Sequence, residues 1–386
     1  MVQSFLPMVP MAQCEASLGF GFQTEGQWQD GGAVREVDIE VSFETGERLG
    51  FTSSNPKAAI FADPSAAHKL RFHRNVSLTV TLAVGTPPQN VTMVLDTGSE
   101  LSWLLCDNGS LSKFRPTASS SYTPIPCSSP TCKSQTRDLP NLSTCDSATH
   151  NCHVSLSYAD ASTAEGTLVS DLFLVGSQPA RRTAFGCMSS AYSAAAGDTT
   201  AAGMLGMNRG ALSFIAQTNT PRFSYCISDR DAGVLLLGTA NLLHLNYTPL
   251  VQISLPLPYF DRVAYSVQLE TIRVGAKTLP IPKSVLLPDH TGAGQTMVDS
   301  GTQFSFLLGQ AYEILKDEFL RQTKGVLTPE PGMCFRGRSI CASGRQTWPR
   351  RRQYGISRRW CWDSKGRKWR STVSDCCTTW KGREGK

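Results

Sequence analysis

The chain has 386 residues, of which 40% are apolar and 18% charged, so a sizeable core can form and wholesale disorder is excluded. The formal net charge of +6 is unevenly distributed. Residues 333–386 contain 15 basic and 3 acidic side chains, whereas the preceding 332 residues contain 22 basic and 28 acidic ones. The basic charge is therefore a property of the last segment and does not indicate a nucleic-acid-binding or membrane-binding surface on the whole protein. No stretch has the length and apolar character of a membrane span.

Residues 1–74 are rich in Gly, Ala and acidic side chains and show little periodicity, which predicts a poorly ordered leader or pro-segment. The first residues contain neither the basic region nor the uninterrupted apolar region of a secretory signal. Because later features favour the secretory pathway, we interpret this N-terminus as altered or incomplete.

Alternating apolar residues from Val76 to Val84 predict a half-buried strand, and the sequence at 85–88, GTPP, predicts a turn. A second strand follows from Val91 to Leu95 and ends at Asp96.

Further along the chain, the pattern predicts a hairpin formed by residues 154–158 and 166–169, with a polar tip at 159–162. Short strands are predicted at 223–227 and 233–238. These elements indicate a β-rich body with few helices.

Alternation resumes over residues 265–274, and a strand-like segment at 296–298 leads into Asp299. Apolar residues at helical spacing then predict a helix over 308–323.

Residues 333–386 show neither helical nor strand periodicity and contain five of the seven Trp and five of the thirteen Cys. We predict a disordered tail that resembles an out-of-frame or read-through product more than a domain. Interleaved Arg and Trp could bind nucleic acid, but a solvated accidental tail is the more economical interpretation, so we expect no nucleic-acid partner.

The cysteines of the body cluster in a loop-like stretch rich in Ser, Thr and Pro. Their spacing does not fit zinc ligands, so we expect no metal and no cofactor. Disulfides formed in an oxidising compartment explain the cluster better than buried thiols. The candidates, whose pairing the sequence leaves open, are Cys106, Cys127, Cys132, Cys145, Cys152, Cys187 and Cys226.

Five N-x-S/T triplets are candidate glycosylation sites, and together with the cysteines they favour a secretory or extracellular location. They are Asn75, Asn90, Asn108, Asn141 and Asn246.

Two short sequences with the pattern D-[ST]-G-[ST] each follow a hydrophobic strand, at 96–99 and at 299–302. One copy is usually a strand-ending turn, but two copies in the same context indicate two related lobes. Two carboxylates held close together cannot both ionise cheaply, so one proton is shared. Such a pair can activate a bound water as general base while the protonated partner polarises a carbonyl group.

These motifs resemble those of the pepsin-like aspartic endopeptidases, in particular the plant nepenthesin-type group. The resemblance covers roughly residues 75–330, and it rests also on the strings VGTPPQNVTMVLDTGSELSWLLC, VSLSYADASTAEGTL, AGMLGMNRGALSF and AGQTMVDSGTQFSFLL. It implies an all-β, bilobal acid-protease fold that hydrolyses peptide bonds in proteins, and we expect a monomer.

The resemblance also implies roles for individual residues. Asp96 and Asp299 are the catalytic dyad, and the flap residue Tyr158 is supported by Trp103. The resemblance implies that Thr97 and Ser300 interlock beneath the dyad and that Ser99 and Thr302 bond the outer carboxylate oxygens. Gly98 and Gly301 allow the backbone to approach closely, so that an N–H can reach a carboxylate. Met204, Leu205 and Gly206 match the hydrophobic-hydrophobic-Gly element that closes the ψ-shaped loop of the first lobe.

The second half of the chain departs from this pattern. Only 87 residues follow Asp299, and no second hydrophobic-hydrophobic-Gly element is found after the helix at 308–323. We therefore expect a first lobe at 75–245, an incomplete second lobe at 246–332, and the tail at 333–386. The alternative function is a catalytically inactive, protease-like binding or inhibitor protein.

Overall fold

The structure is a computed structural model, and it describes only part of the chain. The described residues are 20–22, 29–30, 33–34, 39–43, 67–73, 77–106, 113–159, 161–175, 179–192, 201–220, 222–227, 232–238, 248–302, 305–322, 324, 327–329, 341–344, 358–362 and 368–372.

The described elements are mostly strands. In chain order they are β1 Phe20–Phe22, β2 Gln29–Asp30, β3 Ala33–Val34, β4 Ile39–Phe43, β5 Ala67–His73, β6 Ser77–Val84, β7 Gln89–Asp96, β8 Trp103–Leu105, β9 Thr123–Pro124, β10 Thr144–Cys145, β11 Cys152–Ser157, β12 Thr163–Leu174, β13 Arg181–Tyr192, β14 Gly203–Gly206, β15 Phe223–Ile227, β16 Ala232–Leu237, β17 Ser266–Val267, β18 Leu269–Val274, β19 Lys277–Thr278, β20 Thr296–Met297, β21 Leu327–Pro329, β22 Cys341–Gly344, β23 Arg358–Trp362 and β24 Lys368–Thr372. The α-helices are α1 Pro130–Ser134, α2 Phe214–Gln217, α3 Lys283–Leu286 and α4 Gly309–Gln322, and two 3-10 helices span Pro116–Ala118 and Gln135–Asp138.

The first lobe is built on a 12-stranded sheet that includes the predicted strands β6 and β7, the predicted hairpin β11–β12, and β15 and β16. Strand β12 pairs with β13 on one side and with β6 on the other. Together with β8, β14 and β7, these strands close a ring around the main core. The alternation along β6 and β7 predicted this burial, since Leu78, Val80 and Leu82 are at most 2% exposed.

The turn between β6 and β7 requires a glycine. Gly85 has a φ of 92°, and a Cβ there would meet Ser119 Oγ at 2.7 Å. Both the left-handed backbone and the lack of space therefore favour glycine at this position.

Aromatic side chains fill the centre of the first lobe. Phe185 makes edge-to-face contacts with Phe114 and Phe173, with ring centroids 5.8 and 5.5 Å apart, and Phe173 contacts Phe214 at 5.7 Å. All four rings are fully buried. This packing gives a rigid support for the strands that end at the candidate site.

The second-lobe core forms where α4 packs on β18. Tyr312, Leu315 and Phe319 of the helix lie in one cluster with Ile272 and Val274 of the strand. The helix predicted over 308–323 is confirmed, and its apolar spacing explains which side faces the sheet.

One acidic residue of α4 is buried in this packing. Glu318, 6% exposed, is 2.7 Å from Lys277 Nζ and 2.5 Å from Arg321 Nη2, and it also accepts a hydrogen bond from Gln322. These donors lower the pKa of Glu318, the hydrogen bond from Arg321 most strongly, so the charge is compensated where it is buried.

Two predicted irregular segments contain described strands. Within 1–74, β5 belongs to the large sheet and β4 pairs with β18 of the second lobe, so the sheet of the first lobe begins at Ala67 and not at 75. Within 333–386, β22, β23 and β24 form an antiparallel sheet with β21. We predicted disorder for residues 333–386 because they lack an apolar face. Their Trp and Thr residues, however, also favour strands. The other residues of both segments lie outside the described residues.

Three disulfides form among the described residues, between Cys106 and Cys187, Cys127 and Cys145, and Cys132 and Cys152. Six of the seven candidate cysteines are thus paired, and the side chain of Cys226 lies outside the description. The Cys127–Cys145 and Cys132–Cys152 bridges join residues 18 and 20 positions apart. They connect the segment around α1 to β10 and β11. In the loop-entropy treatment, a bridge of this length stabilises the fold by about 3 kcal/mol.

Two of the candidate glycosylation sites can be placed. Asn90 and Asn141 are both exposed, and the Asn141 side chain donates to the Ser155 carbonyl at 3.1 Å. Asn75, Asn108 and Asn246 lie outside the described residues. None of the helices in the described part of the chain is long and apolar enough to cross a membrane.

Candidate active site

The two aspartates of the repeated motif lie at the ends of strands from different lobes. Asp96 is the last residue of β7, and Asp299 follows β20 by two residues. In each case the chain turns sharply at the next residues, Thr97–Gly98 and Ser300–Gly301. The strand-then-turn context of the sequence therefore positions both carboxyl groups where the lobes meet.

Glycine is required at positions 98 and 301 because each turn packs against the aspartate of the other lobe. A Cβ on Gly98 would lie 2.6 Å from Asp299 Cγ, and a Cβ on Gly301 would lie 3.0 Å from Asp96 Cβ. These approaches bring the two carboxyl groups into one site.

Each carboxyl group is held by the same two donors in its own motif. The Gly98 N–H donates to Asp96 Oδ1 at 2.8 Å, and the Gly301 N–H donates to Asp299 Oδ1 at 2.8 Å. The outer oxygens accept hydroxyl groups, from Ser99 to Asp96 Oδ2 and from Thr302 to Asp299 Oδ2, the latter at 2.7 Å. The arrangement is symmetric about the two lobes and fixes the orientation of both carboxyl groups.

Beneath the carboxyl groups, the two turns exchange hydrogen bonds. The Thr97 N–H donates to Ser300 Oγ at 3.1 Å, and the Ser300 N–H donates to Thr97 Oγ1 at 2.9 Å. Each hydroxyl group then donates to a backbone carbonyl of the other lobe, Thr97 to that of Val298 at 3.2 Å and Ser300 to that of Leu95 at 2.8 Å. Thr97 and Ser300 are 2% and 8% exposed, so these bonds form away from water. We call this set of four bonds the interlock.

Burial raises the pKa of Asp96 well above its ordinary value, and the nearby charge of Asp299 raises it further. The hydrogen bonds from Ser99 and Gly98 oppose this rise. The Asp96 carboxyl group therefore stays protonated up to a higher pH than an isolated aspartate does.

Strand β14 completes the support under Asp96. It lies between β7, with which it is parallel, and β8, with which it is antiparallel. Gly206 stands opposite Asp96 in this register, and its N–H donates to Ser102 Oγ at 3.0 Å. The segment at 204–206 therefore lies where the resemblance places the element that closes the first lobe's loop.

The hairpin β11–β12 ends in a short tip at the residues predicted as the flap. Tyr158 begins this tip, with its N–H bound to the Ser162 carbonyl at 2.9 Å. The Trp103 indole N–H donates to the Tyr158 hydroxyl at 2.6 Å. Trp103 begins β8, so the hydrogen bond connects Tyr158 to the sheet that also positions Asp96.

Sequence reasoning did not single out Glu100, which is 5% exposed and lies one residue after Ser99. Glu100 Oε1 accepts the Leu212 N–H at 2.8 Å, and among the described residues Oε2 has no hydrogen-bond partner. A Cβ on Gly210 would overlap the carboxyl group. The position of Glu100 at the start of the largely apolar string ELSWLL was the available signal for its burial.

Burial raises the pKa of Glu100, the hydrogen bond from Leu212 opposes the rise, and the charges of Asp138 and Asp261 add to it. A carboxyl group whose pKa is higher in the folded state favours folding at low pH, and this advantage is lost as the pH rises through its folded pKa. We therefore expect Glu100→Gln to unfold at higher denaturant concentration than the wild type at neutral pH.

The gain from Glu100→Gln should shrink as the pH falls below the ordinary glutamate pKa, since Glu100 is then neutral in both states. Urea unfolding at several pH values tests this. Glu313→Gln, at an exposed position of α4, is the control. A pH-independent difference between the Glu100 variant and the wild type would show that the charge of Glu100 is not responsible.

Tyr225 on β15 is a second residue that the sequence marked only as part of a strand. Burial raises its pKa to about 12, with a contribution from the charge of Asp299. Its ring stacks with Phe223, with centroids 6.5 Å apart. The phenol is therefore neutral throughout the acidic and neutral pH range. Within the described residues no group of three or more His, Cys, Asp or Glu side chains is placed to hold a metal ion.

Comparisons with known proteins agree with this geometry. Residues 78–239 match the family model described as xylanase inhibitor N-terminal, and residues 264–349 match the model described as xylanase inhibitor C-terminal. The second match extends past residue 332, where we placed the end of the second lobe. The crystal structure of edgp is similar with a TM-score of 0.54 and 17% identity, covering 72% of this chain and 75% of that one.

Two curated relatives are aspartic proteinases. Aspartic proteinase PCS1 of Arabidopsis thaliana is 58% identical over 288 residues, which cover 71% of this chain and 63% of the relative. Aspartic proteinase nepenthesin-1 of Nepenthes gracilis is 30% identical over 277 residues, covering 68% of this chain and 60% of the relative. The chain thus spans somewhat less than two thirds of the length of these relatives.

The fold is that of the pepsin-like acid proteases, as the strand topology, the paired motifs and the similarity to a solved structure show. Within that fold, the chain belongs to the pepsin-like aspartic proteases of plants, the family of PCS1 and the nepenthesins.

Proposed function

We propose that the protein is an aspartic endopeptidase that hydrolyses peptide bonds in proteins with a water molecule activated between Asp96 and Asp299. The observation that supports this most strongly is the interlock, because it joins two D-x-G turns from different lobes and brings their carboxyl groups together. A single motif could not produce that geometry.

In the proposed mechanism, the water binds between the two carboxyl groups, which share one proton. The ionised carboxylate accepts a proton from the water as the water oxygen attacks the scissile carbonyl carbon. The protonated carboxyl group donates a hydrogen bond to the carbonyl oxygen and stabilises the negative charge that develops there. Transfer of a proton to the leaving nitrogen then completes cleavage, and no covalent bond to the protein is formed.

The flap supplies the other face of the cleft in this proposal. Tyr158 covers the substrate, and the hydrogen bond from Trp103 holds the phenol in place. The three disulfides are consistent with an oxidising compartment, and we propose a secretory or extracellular location and a monomeric state.

A Tyr158→Phe variant should hydrolyse peptides more slowly, because the Trp103 donor loses its acceptor. A buried hydrogen bond of about 0.5–1.5 kcal/mol corresponds to a fall in kcat/KM of roughly two- to twelvefold. Tyr192→Phe, at a tyrosine that is 65% exposed, is the matched control and should retain its rate. Equal rates for the two variants would contradict the role of the Tyr158 hydroxyl.

The second candidate is a protease-like binding or inhibitor protein without turnover. The matched family models have the descriptions of xylanase inhibitors. In addition, β20 pairs only with β17 among the described strands, whereas β7 is flanked by β6 and β14. This difference supports our hypothesis that the second lobe is incomplete.

One assay distinguishes the two candidates. The purified chain is incubated with a denatured protein at mildly acidic pH, with and without a statine-type inhibitor, and cleavage products are measured. We expect hydrolysis that the inhibitor suppresses. A folded protein that yields no products would favour the binding protein, and hydrolysis that persists with the inhibitor would exclude the aspartate mechanism.

A further inference from the structure

The side chain of Met204 lies beside the hydroxyl group that binds Asp96. Met204 Sδ is 3.7 Å from Ser99 Oγ, and the same hydroxyl group is bonded to Asp96 Oδ2. A hydroxyl group has one proton to donate, and a thioether is a far weaker acceptor than a carboxylate. In the reduced protein Ser99 therefore donates to Asp96.

Met204 also lies on the accessible face of its strand. In β14 it stands opposite Val94 of β7 and Trp103 of β8, which are all partly exposed. The next residue, Leu205, points the other way and is fully buried in the core. Met204 is therefore partly exposed to solvent, and its sulfur contacts the hydroxyl group that binds Asp96.

The other methionines of the described residues are shielded. Met93, Met188 and Met207 are fully buried, and Met297 is 5% exposed. Among the described methionines, Met204 is the one with a partly exposed side chain. Since oxidation of methionine depends on access to the sulfur, this residue should react first.

We propose that Met204 is a site of oxidation by hydrogen peroxide and that its sulfoxide disables the dyad by withdrawing Ser99 from Asp96. The sulfur lone pair attacks one peroxide oxygen, an S–O bond forms and the O–O bond breaks. The second oxygen leaves as hydroxide and takes the proton of the attacked oxygen to become water, so sulfur is oxidised by two electrons and the peroxide is reduced. The sulfoxide oxygen is a strong acceptor within reach of the Ser99 hydroxyl group and competes with Asp96 for its proton.

The consequence for the site follows from the contacts already described. Asp96 loses its outer hydrogen bond, while the Gly98 N–H still binds its inner oxygen. The carboxyl group then keeps one of the two hydrogen bonds from its own motif and can rotate away from its position beside Asp299. Loss of a hydrogen bond to a charged group at the reacting centre predicts a fall in hydrolysis of roughly tenfold or more. Methionine sulfoxide is reducible, so the loss should be reversible.

This inference rests on the proposed function, and the test separates the two. The full chain is treated with increasing hydrogen peroxide. Each methionine is then mapped by peptide mass spectrometry, while hydrolysis and binding of a statine-type inhibitor are measured on the same samples. Met204→Leu preserves the side-chain volume and removes the sulfur, and Met207→Leu is the matched control three residues away.

We expect Met204 to gain one oxygen before the four buried methionines, with hydrolysis falling in proportion. Methionine sulfoxide reductases of both stereospecificities should restore it. After the same treatment Met204→Leu should retain its own starting activity, whereas Met207→Leu should be inactivated like the wild type.

The proposal is overturned if Met204 remains unmodified when the buried methionines are oxidised. It is also overturned if fully oxidised Met204 leaves hydrolysis and inhibitor binding unchanged, or if Met204→Leu is inactivated as fast as the wild type. A protein that is inactive before treatment would instead refute the proposed function. The peptide map and the inhibitor titration would then still decide whether oxidation of Met204 alters the site.

Discussion

Replacement of either aspartate by asparagine should abolish peptide hydrolysis, with kcat lower by at least about 100-fold for Asp96→Asn and for Asp299→Asn. An amide can neither accept the water proton nor share a proton with its partner. It can still accept the glycine N–H, so the turns should remain folded. Initial rates on a peptide substrate at mildly acidic pH measure the effect.

The control for the dyad variants is Asp317→Asn, at an exposed position of α4. It makes the same chemical change away from the site and should retain the wild-type rate. Urea unfolding of all three variants establishes that a loss of rate is not a loss of fold. If either dyad variant hydrolysed the substrate as fast as Asp317→Asn, two-carboxylate catalysis would be refuted.

Disruption of the interlock should lower both stability and activity. Thr97→Val keeps the shape of the side chain but leaves the buried Ser300 N–H without its acceptor, and the Val298 carbonyl loses a donor. An unsatisfied buried group costs about 1–3 kcal/mol in the free energy of unfolding. Hydrolysis should also fall, because the interlock holds the turns that position both carboxyl groups.

A double-mutant cycle identifies the interlock as one unit. Ser300→Ala removes the acceptor for the Thr97 N–H and the donor to the Leu95 carbonyl. The two changes break different hydrogen bonds of the interlock, but each releases the same pair of turns, so together they should cost less than the sum of their separate effects. Thr278→Val, at an exposed position of β19, is the control. Strict additivity would mean that the two turns are energetically independent.

The site was predictable because its signals are local and repeated. The alternation of apolar residues along β6 and β7 predicted that one face of each strand is buried, and the structure confirms this burial. The repeated D-[ST]-G-[ST] pattern indicated two related turns. The resemblance to a known family then supplied the pairing of Thr97 with Ser300, which lie 203 residues apart and which no local pattern connects.

Other features depend on three-dimensional proximity that the sequence does not encode locally. The cysteine cluster indicated disulfides, but the partner of Cys106 is Cys187, 81 residues away across β8 and β13. The burial of the Glu100 carboxyl group was not predicted, because the donor to its Oε1 is the backbone N–H of Leu212, which is distant in the sequence.

The N-terminal segment shows a different limit of predicting strands from sequence. Strand β5 lies within a segment predicted to be irregular, and it is ordered by pairing with β6 and β16. Strand β4 likewise pairs with β18 of the second lobe. Strand formation depends more on available partners than on intrinsic preference, so the composition of residues 1–74 was a poor guide to these strands.

The central claim is that Asp96 and Asp299 form one binding and catalytic unit, and calorimetric titration with a statine-type inhibitor tests it without requiring turnover. The hydroxyl group of such an inhibitor replaces the attacking water between the two carboxyl groups. We predict one inhibitor bound per chain at mildly acidic pH, with affinity strongly reduced in Asp96→Asn and in Asp299→Asn and unchanged in Asp317→Asn. Absence of binding to the folded wild-type chain, or equal affinity in all four proteins, would contradict the account.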